Sequence, residues 1–434
     1  MQQVNVGIVG LGTVGLGTLT ILAENAVQIS SKLGFSLGVK TICSRTVETK
    51  ALPPSLGPVR KTADWRQVVS DPEVDIVVEL IGGTHVAREV VDAAIHNGKS
   101  VVTANKELMA LHGCSIWDNA IGQGVNLGIE ASVAGGIPIL AVLREGIAGD
   151  RVTGLFGILN GTCNYILTEI EKHNTPFDIV LMEAQRLGYA EADPGMDVDG
   201  FDARSKLAIL AALAFGERIT PSDIYTEGIR RVMPIDFQYA HQMDYTVRLI
   251  ASARQTPAGL VLAVRPSLIS NKTILAGVRG PYNAVWVRGQ YGQDTFYYGR
   301  GAGAQPTGVA VVSDVMRVAR EIRSGSPARV SPFAHDRLGE YEPIPIERLK
   351  SPYYLRFRVE DRPGIIARLA AVLAAKGIGL DAVLQLPEEN WRDLPFVITT
   401  QPTTEESLRA ALAEMSSHDY LIEAPFAMPM EARL

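Results

Sequence analysis

The chain has 434 residues, which predicts two or three domains at roughly 150 residues per domain. Hydrophobic residues make up 47% and charged residues 20%, a composition that excludes a disordered chain. The net charge is −6, so the overall charge does not favour binding to nucleic acid or to an anionic membrane.

Cysteine, histidine and apolar patterns narrow the class further. Cys43, Cys114 and Cys163 lie far apart with no C-x-x-C pair, which excludes a disulfide framework and favours a reducing, cytoplasmic setting. The histidines are not closely spaced, so a zinc site is not expected. Apolar runs such as 207–215 fall far short of the roughly 20 residues that a membrane helix needs. No basic region opens the chain as in a signal peptide.

Strand and helix patterns alternate over residues 1–132. Apolar runs predict strands at Val4–Val9, Val39–Cys43, Val74–Ile81 and Val101–Val102. Helical spacing predicts helices at Val14–Ile29, Val86–Asn97 and Glu107–Ile121. This βαβ order is typical of a doubly wound parallel sheet of the Rossmann type. A later predicted helix, Gly308–Arg323, could return to this domain, so we assign residues 304–325 to it.

Residues 133–303 lack that regular order and predict an α+β domain. Its expected role in catalysis and dimerisation is implied by the family resemblance that the motifs below carry. Its predicted strands are Thr153–Leu159, Gly259–Pro266, Ala284–Arg288 and Thr295–Tyr298. Its predicted helices are Asn164–His173, Asp178–Leu187 and Ala203–Phe215.

The last part of the chain predicts a small separate module. Residues 326–351 are rich in proline and charge and predict a linker. Beyond it, residues 352–434 have the βαββαβ order of a ferredoxin-like domain. The predicted elements are a strand at Leu355–Val359, a helix at Gly364–Lys376, strands at Ile378–Leu386 and Phe396–Thr400, a helix at Glu405–Ser416 and a strand at Tyr420–Ala424. We expect this module to be separable from the catalytic residues.

A glycine fingerprint, G-x-G-x-x-G, follows the first predicted strand and opens a helix. Its residues include Gly10, Gly12, Thr13, Val14 and Gly15. The glycines allow a tight turn and the close approach of a pyrophosphate, which the free N–H groups of the helix N-terminus can bind. In this βαβ context the motif predicts a dinucleotide-binding site.

The end of the second strand bears on the choice of cofactor. Sites for NAD usually place an acidic residue there, but this strand ends Cys43-Ser44-Arg45. A guanidinium at Arg45 would bind a 2′-phosphate, so the sequence favours NADP over NAD. The alternative is that Arg45 is an ordinary surface arginine.

Lysines and acids mark two further candidate positions. Lys106 follows the carboxyl end of a predicted strand, where it could meet substrate or nicotinamide, or only begin a helix in solvent. Asp202 and Lys206 are four residues apart on a predicted helix, beside a cluster of acids. The other members of the cluster are Glu191, Asp193, Asp197 and Asp199. Carboxylates could hold a substrate ammonium and hydroxyl while the lysine moves a proton; an N-cap or a plain ion pair remains the alternative.

Two other segments are ambiguous from the residues alone. Residues 130–138 predict an irregular loop that could offer carbonyls to a hard cation, although a plain crossover between domains is the simpler interpretation. Cys163 has no evident histidine partner and is predicted to be a buried structural thiol.

Together these motifs resemble the homoserine dehydrogenase family over about residues 4–325. The matching segments are the fingerprint at 10–15, T-A-N-K-E at 103–107, E-A-S-V-A-G-G-I-P at 130–138, L-N-G-T-C-N-Y-I-L at 159–167, G-Y-A-E-A-D-P at 188–194, D-G-F-D-A-R-S-K at 199–206 and G-R-G-A-G-A-Q-P-T at 299–307. From residue 353 the chain resembles an ACT domain, with D-R-P-G at 361–364. Nothing of kinase size precedes the fingerprint, so the monofunctional form is expected.

The resemblance implies reversible, NAD(P)-dependent interconversion of L-homoserine and L-aspartate 4-semialdehyde in threonine, methionine and isoleucine biosynthesis. It implies that Lys206 donates a proton to the aldehyde oxygen and that Lys106 lies near nicotinamide and substrate. It further implies that Glu191 and Asp202 bind the amino and hydroxyl ends of homoserine. Implied cofactor contacts are Thr103, Lys106, Gly188 and Gly303.

The resemblance also implies a sodium ion, an effector and an oligomer. Sodium would be held mostly by backbone carbonyls of Glu130, Val133, Gly135 and Ile137. An amino-acid effector, with threonine the leading candidate, would bind the ACT domain near Asp361 and Gly364. Cys163 stands where the family more often has Thr or Ser. We expect a homodimer or a homotetramer.

Two other functions stay open from the sequence. One is another amino-acid or semialdehyde dehydrogenase of the same layout. The other is a non-catalytic sensor of dinucleotide and amino acid, which the presence of a proton donor such as Lys206 argues against.

Overall fold

The computed structural model describes residues 3–325, 335, 337–386 and 394–431. Ten of the 26 residues of the predicted linker, residues 326–334 and 336, lie outside the described residues, as do residues 387–393 and 432–434 of the predicted module. The strands are β1 (Val4–Val9), β2 (Leu37–Cys43), β3 (Arg60–Thr62), β4 (Ile76–Glu79), β5 (Ser100–Thr103), β6 (Leu127–Gly128), β7 (Val152–Ile158), β8 (Tyr225–Thr226), β9 (Tyr245–Thr256), β10 (Gly259–Ser270), β11 (Tyr282–Gly289), β12 (Asp294–Arg300), β13 (Lys350–Ser351), β14 (Tyr353–Val359), β15 (Leu380–Leu384), β16 (Leu394–Thr400), β17 (Thr403–Thr404) and β18 (Phe426–Glu431).

Helices connect and cover these strands. They are α1 (Thr13–Glu24), α2 (Ala26–Leu33), α3 (Arg66–Val69), α4 (His85–His96), α5 (Lys106–Gly122), α6 (Ile139–Ala141), α7 (Gly161–His173), α8 (Phe177–Arg186), α9 (Gly195–Val198), α10 (Phe201–Phe215), α11 (Pro234–Gln242), α12 (Ala304–Arg323), α13 (Ile365–Ala375) and α14 (Glu405–Met415). No helix in the described part of the chain has both the length and the apolar character to cross a membrane.

The chain divides into two compact units. The first comprises residues 1–155, 205–223 and 283–341, and the second comprises residues 156–204, 224–282 and 342–434.

The first unit contains a parallel sheet with the strand order β3-β2-β1-β4-β5-β6. This is the order of a doubly wound Rossmann sheet and confirms the predicted fold class. Strand β4 is buried along its whole length, as expected for a parallel strand covered on both faces. Helix α12 packs into the same apolar core through Val311 and Val315, which lie with Val6 and Ile8 of β1.

The first helical segment differs from the prediction. A single helix was predicted over Val14–Ile29, but α1 ends at Glu24 and α2 begins at Ala26. Asn25 separates them, with φ −98° and ψ 13°. Asparagine favours helix ends because its side chain competes for backbone hydrogen bonds, which explains the break in an otherwise helical pattern.

The second unit is built on a sheet with the order β9-β10-β18-β14-β16-β15. The long hairpin of β9 and β10 pairs residues 245–256 with residues 259–270. Strand β9 was not predicted. Its alternation includes Arg248, which is fully buried because it is paired with Glu171 (Nη2–Oε2 3.0 Å). A buried charge in the middle of a strand hides the apolar pattern from the sequence.

The C-terminal module has the predicted βαββαβ order, with one correction. The last strand was predicted at Tyr420–Ala424, but it is β18, at Phe426–Glu431. Residue 421 makes only an isolated bridge to Val359. Pro429 lies within β18 and lowers the strand propensity of that segment. The sequence therefore predicts the strand too early in the chain.

The module shares its sheet with the rest of the second unit. Strand β18 pairs antiparallel with β14 and parallel with β10. The end of the predicted linker is also packed, because Ile346 lies against Val261 and Ala263 of β10. In the residues that the structure describes, the module therefore packs against the rest of the second unit. Its separability from the catalytic residues stays a prediction.

Candidate active site

The glycine fingerprint forms the turn between β1 and α1. Gly10 has φ +106°, and a Cβ atom there would lie 2.5 Å from the backbone of Leu80. A Cβ atom on Gly15 would lie 2.1 Å from the carbonyl oxygen of Gly10. Within the described residues, the corresponding position on Gly12 has open space around it. The turn thus excludes side chains on its inner side and leaves backbone exposed where a pyrophosphate would bind.

Arg45 lies at the same edge of the sheet as this turn. Strand β2 ends at Cys43, whose carbonyl oxygen accepts a hydrogen bond from the N–H of Gly10 at 2.9 Å. Arg45 follows two residues later and its side chain is exposed. The guanidinium is therefore exposed to solvent at the edge of the sheet where the ribose of a bound dinucleotide would lie.

A buried carboxylate that the sequence analysis missed links β4 and β5. Glu79 is fully buried. Its Oε1 accepts a hydrogen bond from the N–H of Ile81 at 2.8 Å, and its Oε2 accepts one from Thr103 Oγ1 at 2.6 Å. Burial raises the pKa of Glu79 above its ordinary value. In the sequence, Glu79 is an acid near the end of an apolar run. Acids in such places are usually exposed, so the sequence does not indicate that it is buried.

Asn105 extends this network to the start of α5. Its N–H donates to Thr103 Oγ1 at 3.0 Å, and its Nδ2 donates to the carbonyl oxygen of Gly83 at 2.7 Å. Its Oδ1 caps α5 by accepting from the N–H of Leu108 at 3.1 Å. The Thr103 hydroxyl, which was predicted to contact the cofactor, is thus buried and committed to Glu79. The network fixes the backbone on either side of Lys106.

Lys106 and Lys206 line one cavity in the first unit. This lysine cavity has a volume of about 260 Å³, and its other lining residues are mostly small, among them Gly82, Gly135 and Gly301. Lys206 is buried, with 8% of its surface exposed. The structure thus brings together two predicted lysines that are 100 positions apart in the sequence.

Asp202 lies in the first turn of α10, four residues before Lys206. The helix begins at Phe201, so Asp202 is not its N-cap, and that alternative is wrong. Asn160 holds the Asp202 carboxylate: its Nδ2 donates to Asp202 Oδ2 at 2.8 Å and to Asp197 Oδ1 at 2.6 Å. Asn160 also caps α7 through Cys163 N–H at 2.7 Å. Its bridging role has no signature in the sequence beyond an asparagine at a helix start.

The other acids of the cluster have different surroundings. Asp199 forms an ion pair with Arg230, with 2.5 Å between Oδ1 and Nε. Glu191 and Asp193 are exposed, and the backbone oxygen of Glu191 accepts from Gln185 Nε2 at 3.0 Å.

Cys163 is fully buried and its thiol donates to the carbonyl oxygen of Asp197 at 3.1 Å. The prediction of a buried structural thiol is confirmed. Two glycines that were predicted near the cofactor occupy helix ends: Gly188 follows α8 with φ +76°, and Gly303 precedes α12 with φ +132°.

Residues 130–132 form a 3₁₀ turn, and residues 133–138 form irregular backbone, as predicted, with Ala134 at φ +49°. Glu130 is buried, and its carboxylate accepts from the N–H groups of Leu140 (3.0 Å) and Ala141 (2.7 Å). Burial, together with the neighbouring Asp314, raises the pKa of Glu130 from its ordinary value of 4.5 to about 7. The Glu130 side chain is thus occupied at the start of a helix.

No three His, Cys, Asp or Glu side chains among the described residues converge as metal ligands. A cation bound to residues 130–137 would therefore depend on backbone carbonyls, which suit a hard ion.

These features define the class of protein first. A sheet of this order with a glycine turn at its first strand is a dinucleotide-binding fold, and the lysine cavity beside it provides groups for proton transfer. The chain is accordingly an NAD(P)-dependent oxidoreductase.

Comparison with known proteins identifies the family. Models described as "Homoserine dehydrogenase, NAD binding domain", "Homoserine dehydrogenase" and "ACT domain" match residues 10–130, 138–316 and 353–416. A homoserine dehydrogenase from Pseudomonas aeruginosa is 42% identical over 420 residues, covering 96% of both chains. One from Bacillus subtilis is 35% identical over 435 residues, covering 98% of this chain and 97% of that protein. The chain belongs to the homoserine dehydrogenase family.

Solved structures agree with this assignment. The crystal structure of a homoserine dehydrogenase from Thiobacillus denitrificans has a TM-score of 0.93 and 42% identity, and covers 99% of each chain. A hyperthermophilic archaeal homoserine dehydrogenase in complex with NADPH has a TM-score of 0.62 and 27% identity, over 73% of this chain and 98% of that one.

Proposed function

We propose that this chain reduces L-aspartate 4-semialdehyde to L-homoserine, and catalyses the reverse oxidation, in the biosynthesis of threonine, methionine and isoleucine. The observation that carries the proposal is the lysine cavity, in which Lys106 and Lys206 face one space beside the glycine turns of a dinucleotide-binding sheet. A bound nicotinamide cofactor would supply the hydride for the aldehyde carbon. The exposed backbone at Gly12 fits the pyrophosphate of such a cofactor.

Lys206 is the proposed proton donor. Negative charge develops on the aldehyde oxygen during reduction, and an ammonium group stabilises that charge before it gives up a proton. Burial of Lys206 beside backbone and small residues supports this role, because a lower local dielectric strengthens the interaction. Lys106, at the first position of α5, would help to position substrate and nicotinamide.

Substrate binding is assigned to Asp202 and Glu191. Asp202 is buried and held in one orientation by Asn160, which suits a carboxylate that binds a substrate hydroxyl or ammonium. Glu191 is exposed and available for the other end of the substrate. Gly188 and Gly303 complete the proposed cofactor contacts. Thr103, whose hydroxyl donates to Glu79, would help to position the backbone beside the cofactor.

NADP is the proposed cofactor, with NAD as the alternative. The exposed Arg45 at the end of β2 supports this choice, as does the archaeal relative described in complex with NADPH. Arg45→Ala should raise the KM for NADPH by about 10–150-fold, the loss of one charge-assisted hydrogen bond, and should leave the KM for NADH nearly unchanged. Equal effects on both cofactors would show that Arg45 binds no phosphate.

The cofactor proposal also includes a sodium ion bound by residues 130–137. The irregular backbone at residues 130–137 supports it, and Glu130, Val133, Gly135 and Ile137 would offer carbonyl oxygens. The carbonyls of Glu130 and Ile137 also accept backbone hydrogen bonds, at 3.4 and 2.7 Å, so these two would share their lone pairs with a cation. A sodium ion there would keep the 130–137 segment ordered beside the lysine cavity.

We further propose feedback regulation through the ACT domain, with threonine as the first candidate effector. Asp361 and Gly364, the sequence-predicted effector residues, line a cavity of about 180 Å³ at the start of α13. We also propose a homodimer or a homotetramer, the oligomer expected from the family resemblance. The free thiols Cys43, Cys114 and Cys163 support a reducing, cytoplasmic setting.

The test of the reaction is a spectrophotometric assay of the full chain. NADPH oxidation should be rapid with L-aspartate 4-semialdehyde and slow with a panel of other amino-acid semialdehydes. A preference for another semialdehyde would reassign the substrate. Loss of NADPH oxidation with every aldehyde, in a folded protein that still binds the cofactor, would show a non-catalytic sensor.

A further inference from the structure

The side-chain amide of Asn160 has a polar partner on each of its sides. The residue is the N-cap of α7, and its Oδ1 accepts from the N–H of Cys163 at 2.7 Å. Its Nδ2 donates to Asp197 Oδ1 at 2.6 Å and to Asp202 Oδ2 at 2.8 Å. An asparagine amide has two N–H donors, so the two carboxylates use both. With 4% of its surface exposed, the side chain has little access to water as an alternative partner.

These three contacts allow only one orientation of the Asn160 amide. In the opposite orientation, its NH₂ group would face the N–H of Cys163, a donor against a donor. Its oxygen would then face the carboxylates of Asp197 and Asp202, acceptors against an acceptor. All three hydrogen bonds would be lost, and buried polar groups without partners are costly. The donors of Asn160 are therefore fixed toward the two carboxylates.

Asp197 is attached to the start of α7 by a second contact. The Cys163 thiol donates to the backbone oxygen of Asp197 at 3.1 Å, in addition to the bond from Asn160 to its side chain. Asp197 also belongs to the short helix α9, where its N–H donates to the carbonyl oxygen of Pro194 at 3.0 Å. Two of the three contacts of the amide, to the Cys163 N–H and to Asp197, thus lie in segments that are bonded to each other. The third contact sets the position of the Asp202 carboxylate relative to them.

The charge of Asp202 explains why such a contact matters. Asp202 is only 3% exposed and lies in the first turn of α10. Two carboxylate oxygens that contact the same nitrogen lie close together, so Asp197 and Asp202 repel each other. The two N–H groups of Asn160 offset this repulsion, since each of these hydrogen bonds is charge-assisted. Without the amide, the Asp202 carboxylate would turn away from Asp197.

We propose that Asn160 is a positioning residue for the reaction and acts through Asp202. Its amide holds the Asp202 carboxylate in the orientation that binds the hydroxyl or ammonium group of the substrate. This inference rests on the proposed function, because the role of Asp202 in substrate binding belongs to that proposal. Positioning differs from helix capping, for which serine and aspartate serve as well as asparagine. Among these three side chains, only asparagine can accept a hydrogen bond at the cap and donate two others.

A substitution that keeps the helix cap and removes the paired donors tests the proposal in the full chain. In Asn160→Ser the hydroxyl can still cap α7, so the Tm should stay close to that of wild type. The KM for L-aspartate 4-semialdehyde should rise by about tenfold or more, the loss of a charge-assisted hydrogen bond. The kcat and the KM for NADPH should change by less than about threefold, because substrate binding is what is lost. An unchanged KM for the semialdehyde in a folded Asn160→Ser protein would overturn the proposal.

The matched control is Asn164→Ser, on the same helix. Asn164 is also buried, at 1% exposed, but its Nδ2 donates to backbone carbonyl oxygens, that of Gly280 at 2.8 Å among them. Asn164→Ser should therefore lower the Tm and leave the KM for the semialdehyde unchanged. If Asn160→Ser behaves in the same way as this control, Asn160 has a structural role only and the proposal is wrong.

Asn160→Asp is the second variant in case Asn160→Ser does not fold. One oxygen of the new carboxylate can cap α7, and the other faces Asp197 and Asp202 in place of the donors. The added repulsion should raise the KM for the semialdehyde by at least as much as Asn160→Ser does. A folded Asn160→Asp protein with the KM of wild type would overturn the proposal.

A double-mutant cycle shows whether Asn160 acts through Asp202. In an Asp202→Ala background the carboxylate that the amide positions is absent, so Asn160→Ser should change the KM by less than about twofold. The same tenfold effect in that background would mean that Asn160 acts by another route, which would overturn the proposal. A purely structural residue would show no such dependence on Asp202.

The same assays separate this inference from the proposed function. A wild-type chain that reduces a different semialdehyde, with the same effect of Asn160→Ser on that KM, would refute the proposed substrate and leave the positioning role intact. A chain that reduces L-aspartate 4-semialdehyde equally well with and without Asn160 would refute the positioning role and leave the proposed function intact.

Discussion

The lysine cavity and the cavity lined by Arg230, Arg231, Arg265 and Arg409, the arginine cavity, are lined by different types of residue. Small residues dominate the lining of the lysine cavity, where glycines and alanines such as Gly82, Gly135 and Ala134 lie around two lysines. Charged side chains dominate the arginine cavity, and several of them are already bonded to one another. Small residues have few or no rotatable side-chain groups, which suits a reaction with one fixed geometry. Charged side chains on flexible stems can exchange ion-pair partners, so the geometry of the arginine cavity is less fixed by its residue types.

The buried residues of the two units show a similar difference between small or apolar and charged side chains. The parallel sheet of the first unit has a core of apolar residues such as Ile8, Ile76 and Val78. The second unit buries charge pairs, among them Arg356 with Asp236 and Arg265 with Glu405. Removal of one member of such a pair leaves an unpaired buried charge. Truncation after Ser351 would remove Arg356 and Glu405 and do this to Asp236 and Arg265, so a chain truncated there should be unstable.

The largest expected effect concerns the lysine cavity. Lys206→Ala should lower kcat by about 10²–10⁴-fold, because proton donation to the aldehyde oxygen is lost. The KM for NADPH should change little, since Lys206 is not assigned to cofactor binding. Lys172→Ala, at an exposed position of α7, is the matched control and should behave as wild type. A loss of kcat below about tenfold for Lys206→Ala would contradict its assignment.

The next effect concerns the buried charges of the second unit. Arg356→Ala should lower the free energy of unfolding by about 3–5 kcal/mol, because Asp236 would remain buried without its cation. Arg356 and Asp236 are 1% and 0% exposed. Urea denaturation measures the change, and Arg362→Ala, which removes an arginine from an exposed ion pair in the same module, is the control. Similar shifts in both variants would show that the buried pair has no special weight.

A smaller effect is expected from the Glu79 network in the first unit. Glu79→Ala should lower the free energy of unfolding by about 1–3 kcal/mol, since it leaves the N–H of Ile81 and the Thr103 hydroxyl without their acceptor. It should also raise the KM for NADPH, because the turn at Gly82 and Gly83 loses its support. Glu79→Gln keeps an acceptor oxygen and should restore most of both values. A Gln variant as poor as the Ala variant would mean that the charge of Glu79 is required.

The smallest effect is a pH dependence at Glu130. Its pKa is raised from 4.5 to about 7 in the folded chain, so the folded state holds the proton more tightly than the unfolded state. The stability from this group is complete below about pH 4.5 and is lost as pH rises through about 7. Glu130→Gln should flatten this part of the pH profile of urea midpoints. A profile that keeps the same slope between these pH values would contradict the raised pKa.

Much of the first unit follows from its sequence. Apolar runs that end in glycine located β1 and β4, because parallel strands buried on both faces carry few polar residues. The fingerprint located the dinucleotide turn for a steric reason, since close backbone contacts at Gly10 and Gly15 leave no room for a Cβ atom. Lys106 was singled out by its place after a predicted strand, and Lys206 by its place four residues after Asp202 on a predicted helix.

The features that escaped prediction depend on partners distant in sequence. Glu79 and Asn160 act through buried hydrogen bonds whose other members lie 24 and 42 positions away. Strand β9 was missed because Arg248 is buried only by virtue of Glu171. Strand β18 was misplaced because Pro429 weakens a local strand signal that pairing with β14 and β10 outweighs. In each case a tertiary contact decided the structure against local preference.

The most direct test of the central claim is to follow the hydride itself. The full chain would be incubated with NADPH deuterated at C4 of the nicotinamide, in the transferable position, and L-aspartate 4-semialdehyde, and the product examined by NMR and mass spectrometry. Our account predicts one deuterium at C4 of L-homoserine, bound to the carbon that carries the new hydroxyl. Homoserine without deuterium, or NADPH oxidation without homoserine, would contradict it.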